Sequence, residues 1–303
     1  MSSLGFARAA AVVRLGRPIF LLGGGALFGL GTLAAVRRGY AFDFGAFVLG
    51  QVGVSAIQLM THYANDYFDY EADRANTTPT RWSGGSRVLV NGELPRRVAL
   101  QAAIVVGAFA PLAALGLLVS TKERSAAAAL LLVMQALAWS YSGPPLRLHE
   151  RGLGEPTTAL VVPLLTPLAG FVVQAGRFEW LPLVLGAPLA LLQIAMLVTI
   201  EFPDHAGDAK VGKRSWVVLF GPARAARVVQ AAVAGAFLLA AAGAWLGAST
   251  RGLLWLAIAP LAVVLEFRLQ RGDYRQSSAW ESLGFAAVAL FFLAIVVEIV
   301  GLV

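Results

Sequence analysis

Apolar stretches long enough to cross a lipid bilayer recur along almost the whole chain, and they constrain the fold more than any other feature. A membrane-spanning helix needs about 20 mostly apolar residues at a rise of about 1.5 Å each. Nine such stretches are separated by charged or Gly- and Pro-rich segments: 18–36, 45–63, 97–119, 125–141, 157–175, 181–200, 226–248, 253–268 and 279–302. The composition agrees, since charged residues make up 14% of the chain, against about 25% in soluble domains. The sequence therefore predicts an all-α, polytopic membrane protein with about nine transmembrane helices in a bundle.

The basic residues are unevenly divided between the two sides that nine crossings create. Most of the 24 Lys and Arg residues lie at the N-terminus and in the loops after the second, fourth, sixth and eighth stretches. Because cytoplasmic loops carry an excess of Lys and Arg, we expect the N-terminus and these loops to face the cytoplasm. The charges lie between apolar runs, so the net charge of +7 does not indicate a nucleic-acid partner. The lack of Cys excludes thiol nucleophiles, thiolate zinc sites and iron–sulfur clusters.

We expect a single domain over the whole chain, residues 1–303. Residues 1–17 carry arginines among Ala, Val and Leu, which is typical of an interfacial helix. Acidic clusters on the same side, four helices apart, indicate an internal duplication. The predicted parts are a first four-helix half, 18–156, and a second half with an extra C-terminal helix, 157–303. In the first span, Gly25 and Gly29 predict a close contact with another helix.

Two acidic segments stand at the cytoplasmic ends of the second and sixth predicted spans. At about 100° per residue, the first segment places four side chains within an arc of about 100°: Asn65, Asp66, Asp69 and Asp73. In the second segment Glu201, Asp204 and Asp208 fall within about 60°. Carboxylates this close raise one another's pKa unless a cation lies among them, and oxygen-only ligands suit Mg²⁺. The sequence therefore predicts Mg²⁺ as a cofactor.

A diphosphate is the substrate group that these clusters favour, because Mg²⁺ is often completed by a substrate's phosphates. Basic residues lie near both clusters and after the fourth span: Arg81, Arg87, Arg147, Lys210, Lys213 and Arg214. An EF-hand does not fit the spacing, since no Gly stands at its sixth position. A cation-coupled transporter is a rival from another class. Its acids should lie near the bilayer midplane, whereas these lie at helix ends.

Both acidic segments resemble the paired aspartate motifs of the UbiA superfamily of intramembrane prenyltransferases. The motifs are Asn65-Asp66-x-x-Asp69-x-x-x-Asp73 and Asp204-x-x-x-Asp208. Further segments that begin at Ser83, Pro144 and Gly212 are most similar to the menaquinone branch of the superfamily, 1,4-dihydroxy-2-naphthoate polyprenyltransferase. The similarity extends from about residue 17 to residue 221. One departure is Glu201, which stands where the superfamily more often has Asn.

The resemblance implies a bundle around a central cavity capped by cytoplasmic loops, in a prokaryotic cell membrane. The implied reaction is the Mg²⁺-dependent transfer of a polyprenyl group from polyprenyl diphosphate to an aromatic acceptor, 1,4-dihydroxy-2-naphthoate, in menaquinone biosynthesis. Membrane lipid is then the third partner. Two alternatives stay open at this point. They are a UbiA-type membrane terpene cyclase and a prenyltransferase for another aromatic acceptor, such as 4-hydroxybenzoate.

The resemblance also implies roles for individual residues. One Mg²⁺ would be held by Asn65, Asp66, Asp69 and Asp73, and a second by Asp204 and Asp208. Of these, the catalytic residues would be Asp66, Asp69, Asp204 and Asp208. Residues implied to bind the diphosphate are Arg87, Tyr141, Arg147, Lys210 and Lys213. His62 precedes Asp66 by four residues and is an acceptor-side candidate, with a purely structural hydrogen bond as its alternative. No role is assigned to Gln135 and Gln193, which lie within predicted spans.

Overall fold

The computed structural model describes residues 3–120, 122–245 and 251–303, and this part of the chain consists of helices joined by turns, without strands. The first half contains α1 (Ser3–Leu15), α2 (Pro18–Arg37), α3 (Phe44–Phe68), α4 (Tyr70–Ala75), α5 (Arg96–Gly107), α6 (Phe109–Ser120) and α7 (Ser125–Ser142). The second half contains α8 (Gly154–Leu160), α9 (Thr166–Ala175), α10 (Leu181–Glu201), α11 (His205–Lys210), α12 (Trp216–Phe220), α13 (Pro222–Trp245), α14 (Arg251–Leu254), α15 (Ala259–Gln270) and α16 (Ser277–Val300). The prediction of an all-α fold is confirmed.

Eight helical segments in the described ranges are long and apolar enough to cross a membrane. They are Pro18–Arg37, Phe44–Phe68, Arg96–Ser120, Ser125–Ser142, Gly154–Ala175, Leu181–Glu201, Pro222–Gly243 and Ser277–Val300. The remaining predicted span, 253–268, is divided among α14, a 3₁₀ turn at Trp255–Ala257 and the 12-residue α15. Pro260 lies in the first turn of α15, where its missing N–H prevents a continuous helix through this point. The fold is that of a polytopic helical membrane protein.

Two hydrophobic clusters hold the bundle together. One cluster is built mainly from α3, α5, α6 and α7, and the other from α10, α13, α15 and α16. The pair α2 and α9 joins them: α2 gives Leu27 and Leu30 to the second cluster, whereas α9 gives Leu168 and Val172 to the first. Helices of each half therefore pack mainly with one another, while the division at residues 156 and 157 stays a prediction.

The closest approach within this α2–α9 pair depends on a glycine. A Cβ atom on Gly31 would lie 1.7 Å from the carbonyl oxygen of Pro167, so no larger residue fits. A Cβ atom on Gly29 would meet open space, and one on Gly25 would lie 3.9 Å from its nearest neighbour. The prediction of a close contact at Gly25 and Gly29 is therefore wrong. The contact lies at Gly31 instead, because the position of α9 determines which face of α2 is packed against it. The spacing of glycines in α2 does not encode that position.

The first helix has two distinct faces and ends beside the acidic segments. Ala11 and Leu15 are buried in the first cluster, whereas Phe6 and Val13 are 72% and 59% exposed. An exposed apolar face among arginines is typical of a helix that lies in the membrane interface. The chain then turns into α2 through Arg17, whose backbone is left-handed (φ 48°, ψ 63°).

Candidate active site

The first acidic segment keeps its helical register past the end of α3. Asp69 separates α3 from α4, and its backbone N–H still donates to the carbonyl oxygen of Asn65 at 2.8 Å. Asn65 and Asp69 therefore remain one turn apart on one face, and the Asn65 amide donates to Asp69 Oδ2 at 2.8 Å. Asp66 and Asp69 are both buried, with 2% and 6% exposure. Asp73 is half-buried, one further turn along.

The second acidic segment begins at the end of α10, passes through a tight turn at residues 202–204 and continues into α11. The Asp208 backbone N–H donates to the carbonyl oxygen of Asp204 at 2.9 Å, which keeps their side chains one turn apart. Asp208 is 3% exposed, and its Oδ2 atom is buried without a hydrogen-bond partner.

The two segments lie side by side, and two contacts join them. Lys213 Nζ lies 3.0 Å from Asp69 Oδ2 and 3.6 Å from Asp208 Oδ1, so one ammonium group bridges both motifs. The Asn76 amide donates to Asp204 Oδ1 at 2.6 Å. The structure therefore brings together acids that are more than 130 residues apart in the sequence.

Asp66 points towards the N-terminal end of α2 instead of towards Lys213. Its Oδ1 atom accepts a hydrogen bond from Arg17, and its Oδ2 atom accepts from the hydroxyl and the backbone N–H of Ser86. Arg17 also donates to Asn65 Oδ1 at 3.3 Å. Sequence reasoning counted Arg17 as one positive charge of an interfacial helix and missed this role. An Arg directly before a Pro that begins a span was the available signal.

The loop between α4 and α5 covers the carboxylates. Gly84 donates its backbone N–H to Asp204 Oδ2 at 3.2 Å. The next residue, Gly85, has φ +73°, and a Cβ atom there would lie 2.0 Å from Asp73 Oδ2. Arg87 donates from its guanidinium to the Asp73 carbonyl oxygen at 2.5 Å. The loop can approach the acids this closely because it has glycine at the point of contact.

His149 is a second residue whose position the sequence did not reveal. Its side chain is buried, with Nε2 hydrogen-bonded to Asp69 Oδ1 and Nδ1 2.5 Å from the carbonyl oxygen of Tyr141. Its ring also stacks on that of Tyr141, with centroids 5.2 Å apart. His149 therefore fixes the orientation of the Asp69 carboxylate from the side opposite Lys213.

Charge is unevenly compensated among the acids outside the spans. Burial raises the pKa of Asp69, but Lys213 and His149 override it and hold that pKa well below its ordinary value. Burial and repulsion by Asp69 and Asp66 raise the pKa of Asp73 well above its ordinary value. Burial, together with the charge of Asp208, raises the pKa of Asp204 to about 7. The site therefore carries more negative charge than its own basic groups neutralise.

This donor set suits a hard divalent cation. It consists of carboxylate oxygens, one of which, Asp208 Oδ2, is buried without a partner, and their mutual repulsion would be relieved by added positive charge. Among the described residues, no three carboxylates or imidazoles already converge on one point. Lys213 and Arg17 lie among the acids instead. The residue types fit a metal, while the chain's own cations partly neutralise them in this conformation.

The residues predicted to bind diphosphate occupy different positions. Lys213 lies between the two motifs, and Arg87 lies under the cap. Arg147 is 45% exposed, lies 3.4 Å from Glu150 Oε1 and stands over the Phe68 ring. Lys210 is exposed at the end of α11. Tyr141 lines the cavity described next, so the structure gathers these residues around the acids but not at one point.

An apolar cavity of about 200 Å³ adjoins the acidic segments inside the bundle. Arg17 and Asn65 line it and also bond to Asp66 and Asp69, which connects the cavity to the acids. His62 lines the cavity as well, with its ring centroid 6.1 Å from that of Phe20. The remaining lining is largely aliphatic and aromatic, and comes from α2, α3, α7, α8, α10 and α16. Such a cavity suits an apolar or aromatic ligand with few polar groups.

These features define a class of protein: a polytopic helical membrane protein in which two aspartate motifs meet beside an intramembrane cavity. The chain belongs to the UbiA prenyltransferase family, whose model matches residues 24–296. The resemblance seen in the sequence motifs is thereby confirmed.

Curated relatives carry several prenyltransferase names. The 1,4-dihydroxy-2-naphthoate octaprenyltransferase of Mycobacterium leprae is 30% identical over 234 residues, covering 74% of this chain and 72% of the relative. The Bacillus subtilis protein of the same name is 25% identical over 60% of this chain. Digeranylgeranylglyceryl phosphate synthase of Thermococcus gammatolerans is 30% identical, also over 60% of this chain. The chain spans 57% and 61% of the length of these last two relatives.

Solved structures of UbiA homologues share the fold. The apo structure of a homologue from Aeropyrum pernix K1 matches with a TM-score of 0.66 at 18% identity, covering 89% of this chain and 97% of that one. A homologue from Archaeoglobus fulgidus bound to GPP and Mg²⁺ matches with a TM-score of 0.60 at 17% identity, covering 95% and 99%. At these identities the likeness concerns the arrangement of the helices.

Proposed function

We propose that the protein transfers a polyprenyl group from polyprenyl diphosphate to an aromatic acceptor, 1,4-dihydroxy-2-naphthoate, in menaquinone biosynthesis, and that it requires Mg²⁺. The observation that carries the proposal is the Lys213 bridge, in which one ammonium group contacts an aspartate of each motif beside an apolar cavity. The names of the Mycobacterium leprae and Bacillus subtilis relatives support the choice of acceptor. The Archaeoglobus fulgidus structure with GPP and Mg²⁺ supports the choice of cofactor.

One Mg²⁺ would be held by Asn65, Asp66, Asp69 and Asp73, and a second by Asp204 and Asp208. When bound, Mg²⁺ supplies positive charge that stabilises the departing diphosphate. His149 would keep Asp69 in one rotamer through its Nε2 contact. The Asn76 amide would do the same for Asp204.

The basic groups would bind the diphosphate oxygens and stabilise the charge that develops on them as the bond to the prenyl carbon breaks. Lys213 is the central candidate, because its ammonium group already lies between the motifs. Arg147 and Lys210 are exposed at the rim and would bind the outer phosphate, while Arg87 under the cap and Tyr141 in the cavity complete the set. The cap at Gly84 and Gly85 would exclude water from the reacting carbon.

The acceptor would lie in the cavity, with His62 as the acceptor-side residue. His62 lines the cavity one helical turn from the acids, so it is placed to contact a ring bound there. We also propose that the N-terminus and the acidic segments face the cytoplasm of a prokaryotic cell. The excess of Lys and Arg on the side that carries the motifs supports this orientation.

The proposal is tested with the purified full chain in lipid nanodiscs, supplied with Mg²⁺, geranylgeranyl diphosphate and 1,4-dihydroxy-2-naphthoate. We expect a prenylated naphthoate by mass spectrometry, and its loss when the metal is chelated. Asp69→Asn and Asp208→Asn should each reduce the rate at least about 100-fold, the scale of losing one group that stabilises transition-state charge. Glu71→Gln is the matched control, since Glu71 lies between the motif aspartates but its side chain is 59% exposed.

Three results would contradict the proposal. If Asp69→Asn still transfers the prenyl group at the normal rate, Asp69 does not belong to the active site. If transfer is undiminished when the metal is chelated, the reaction does not require Mg²⁺. A cyclic hydrocarbon formed from the diphosphate without any acceptor would identify a terpene cyclase instead.

Another acceptor is the second candidate, and the range of relatives favours it. The relatives include the glyceryl phosphate synthase and the bacteriochlorophyll synthase 33 kDa chain of Rhodobacter capsulatus. The latter is 29% identical over 61% of this chain. The same assay with 4-hydroxybenzoate added at equal concentration separates these cases. A higher kcat/KM for 4-hydroxybenzoate would reassign the acceptor while leaving the transferase proposal in place.

A further inference from the structure

Two carboxamide side chains from different helices face the cavity within the membrane-spanning part of the bundle. Gln58 belongs to α3 and Gln193 to α10, and both line the cavity. Gln193 is 5% exposed. Polar side chains inside a membrane span are costly unless they bind something, so an uncommitted pair of amides is a candidate binding feature.

The threonine side chains in the cavity wall are already hydrogen-bonded. The threonine hydroxyls donate to carbonyl oxygens of their own helical segments at 2.7, 2.9 and 3.0 Å: Thr61, Thr158 and Thr166. Within the described residues, by contrast, Oε1 of Gln58 and Oε1 of Gln193 are buried without any donor. The Gln58 amide nitrogen has one long contact, 3.4 Å to the carbonyl oxygen of Phe20. Both oxygens are covered by protein in this conformation and lack a donor, so a ligand's donor group would pair with them once the amide turns towards the cavity that both side chains line.

The two amides lie at similar depth below the acidic segments. Gln58 precedes Asp66 by eight residues, and Gln193 precedes Glu201 by eight residues. At about 1.5 Å per residue, Gln58 lies on the order of 12 Å along α3 from Asp66, and Gln193 lies the same distance along α10 from Glu201. Both helices end at the acids, so the amides are at one level in the cavity, away from the diphosphate region.

The size and chemistry of the cavity select the kind of ligand. An isoprenoid chain has no hydrogen-bond donor and would leave both amide oxygens unpaired, which is unfavourable in a buried site. A hydroxylated ring can donate to them. The volume of about 200 Å³ is somewhat larger than the cavity of about 150 Å³ that holds a benzene molecule in an engineered protein. The space therefore suits one or two fused rings.

We propose that Gln193 determines acceptor specificity by accepting a hydrogen bond from a ring hydroxyl, with Gln58 as a secondary contact. This inference rests on the proposed function and adds to it that the acceptor must carry a ring hydroxyl directed at α10. Gln193 takes no part in binding the metal or the diphosphate.

The test compares three ligands that differ in their ring hydroxyls: 1,4-dihydroxy-2-naphthoate, 1-hydroxy-2-naphthoate and 4-hydroxy-2-naphthoate. Dissociation constants are measured by equilibrium dialysis on the full chain in nanodiscs, with no diphosphate present. Wild type should bind the dihydroxy compound about tenfold more tightly than at least one analogue, the effect of one net hydrogen bond. In Gln193→Leu this preference should disappear. The KM for geranylgeranyl diphosphate, measured in the transfer assay, should be unchanged.

Gln135→Leu is the matched control. Gln135 is also an amide within a span, but it donates to the carbonyl oxygen of Gly107 at 2.9 Å and does not line the cavity. Its loss should leave the hydroxyl preference of wild type intact, even where it lowers the melting temperature. Folding of each variant is checked by that melting temperature.

Each failure has a separate signature. If Gln193→Leu keeps the wild-type preference, or if wild type binds all three rings equally or not at all, the inference is wrong whatever the enzyme catalyses. If wild type shows the preference and Gln193→Leu loses it, but no prenylated product forms, the inference holds and the proposed reaction fails. A loss of preference in Gln135→Leu as well would show a general effect on folding and overturn the specific role of Gln193.

Discussion

Replacing Lys213 with Met removes the cation that joins the two aspartate motifs. Lys213 Nζ lies 3.0 Å from Asp69 and 3.6 Å from Asp208, and its side chain is 17% exposed. At an effective dielectric constant of about 20, each contact corresponds to about 5 kcal/mol of Coulomb attraction. The cost of removing the ammonium group from water, several kcal/mol, offsets part of this. The net loss in unfolding free energy should be about 3–5 kcal/mol, because two carboxylates stay buried without their partner.

The assay is thermal unfolding of the purified protein in detergent, in the presence of a metal chelator. At about 2–4 °C per kcal/mol, Lys213→Met should lower the Tm by roughly 6–20 °C. Lys210→Met is the matched control for stability, since Lys210 carries the same charge three residues earlier and is exposed. Its unfolding free energy should change by at most about 0.5 kcal/mol. Added Mg²⁺ should reduce the deficit of Lys213→Met, because a bound cation replaces part of the missing charge.

Equal Tm values for Lys213→Met and Lys210→Met would refute this reasoning. Such a result would mean that the bridge contributes nothing net to the association of the two motifs. A large deficit that Mg²⁺ does not reduce would leave the bridge intact as a structural feature and count against a metal among these acids.

Two further substitutions test the helix packing and the support of Asp69. Gly31→Ala should prevent normal folding or lower the Tm strongly, because its Cβ atom would lie 1.7 Å from the Pro167 carbonyl oxygen, whereas Gly29→Ala should be close to neutral. Similar Tm values for both would contradict the close packing of α2 and α9. His149→Phe keeps a ring in place but loses the bond to Asp69, so the rate of prenyl transfer should fall about 10- to 100-fold with a small change in Tm. An unchanged rate would show that the histidine does not position that carboxylate.

Local features of the site followed from the sequence because they depend on neighbouring residues. The grouping of Asn65 with Asp69, and of Asp204 with Asp208, is set by the helical repeat, and the structure keeps both pairs one turn apart. The spans followed for the same reason, since about 20 apolar residues cross a bilayer whatever surrounds them. The span predicted at 253–268 is not one continuous helix in the structure. Pro260 interrupts the helical backbone there, and a count of apolar residues does not include that effect.

Contacts between residues that are distant in the chain could not be predicted from the sequence. Arg17 could have been a charge at the membrane surface, and His149 one more polar loop residue. Each reaches an aspartate of the first motif across 49 and 80 residues, through a turn of the chain that no local pattern encodes.

The sequence by itself determined that this chain spans a membrane, which side its charges favour and which acids share a helix face, because hydropathy, charge and helical periodicity are properties of short segments. The tertiary structure alone decided that one lysine bridges the two motifs, that Gly31 and not Gly29 admits a neighbouring helix, and that Gln193 faces a cavity while Gln135 is satisfied by a backbone carbonyl. These outcomes depend on which helices pack together and in what rotation, and packing is settled by the whole bundle.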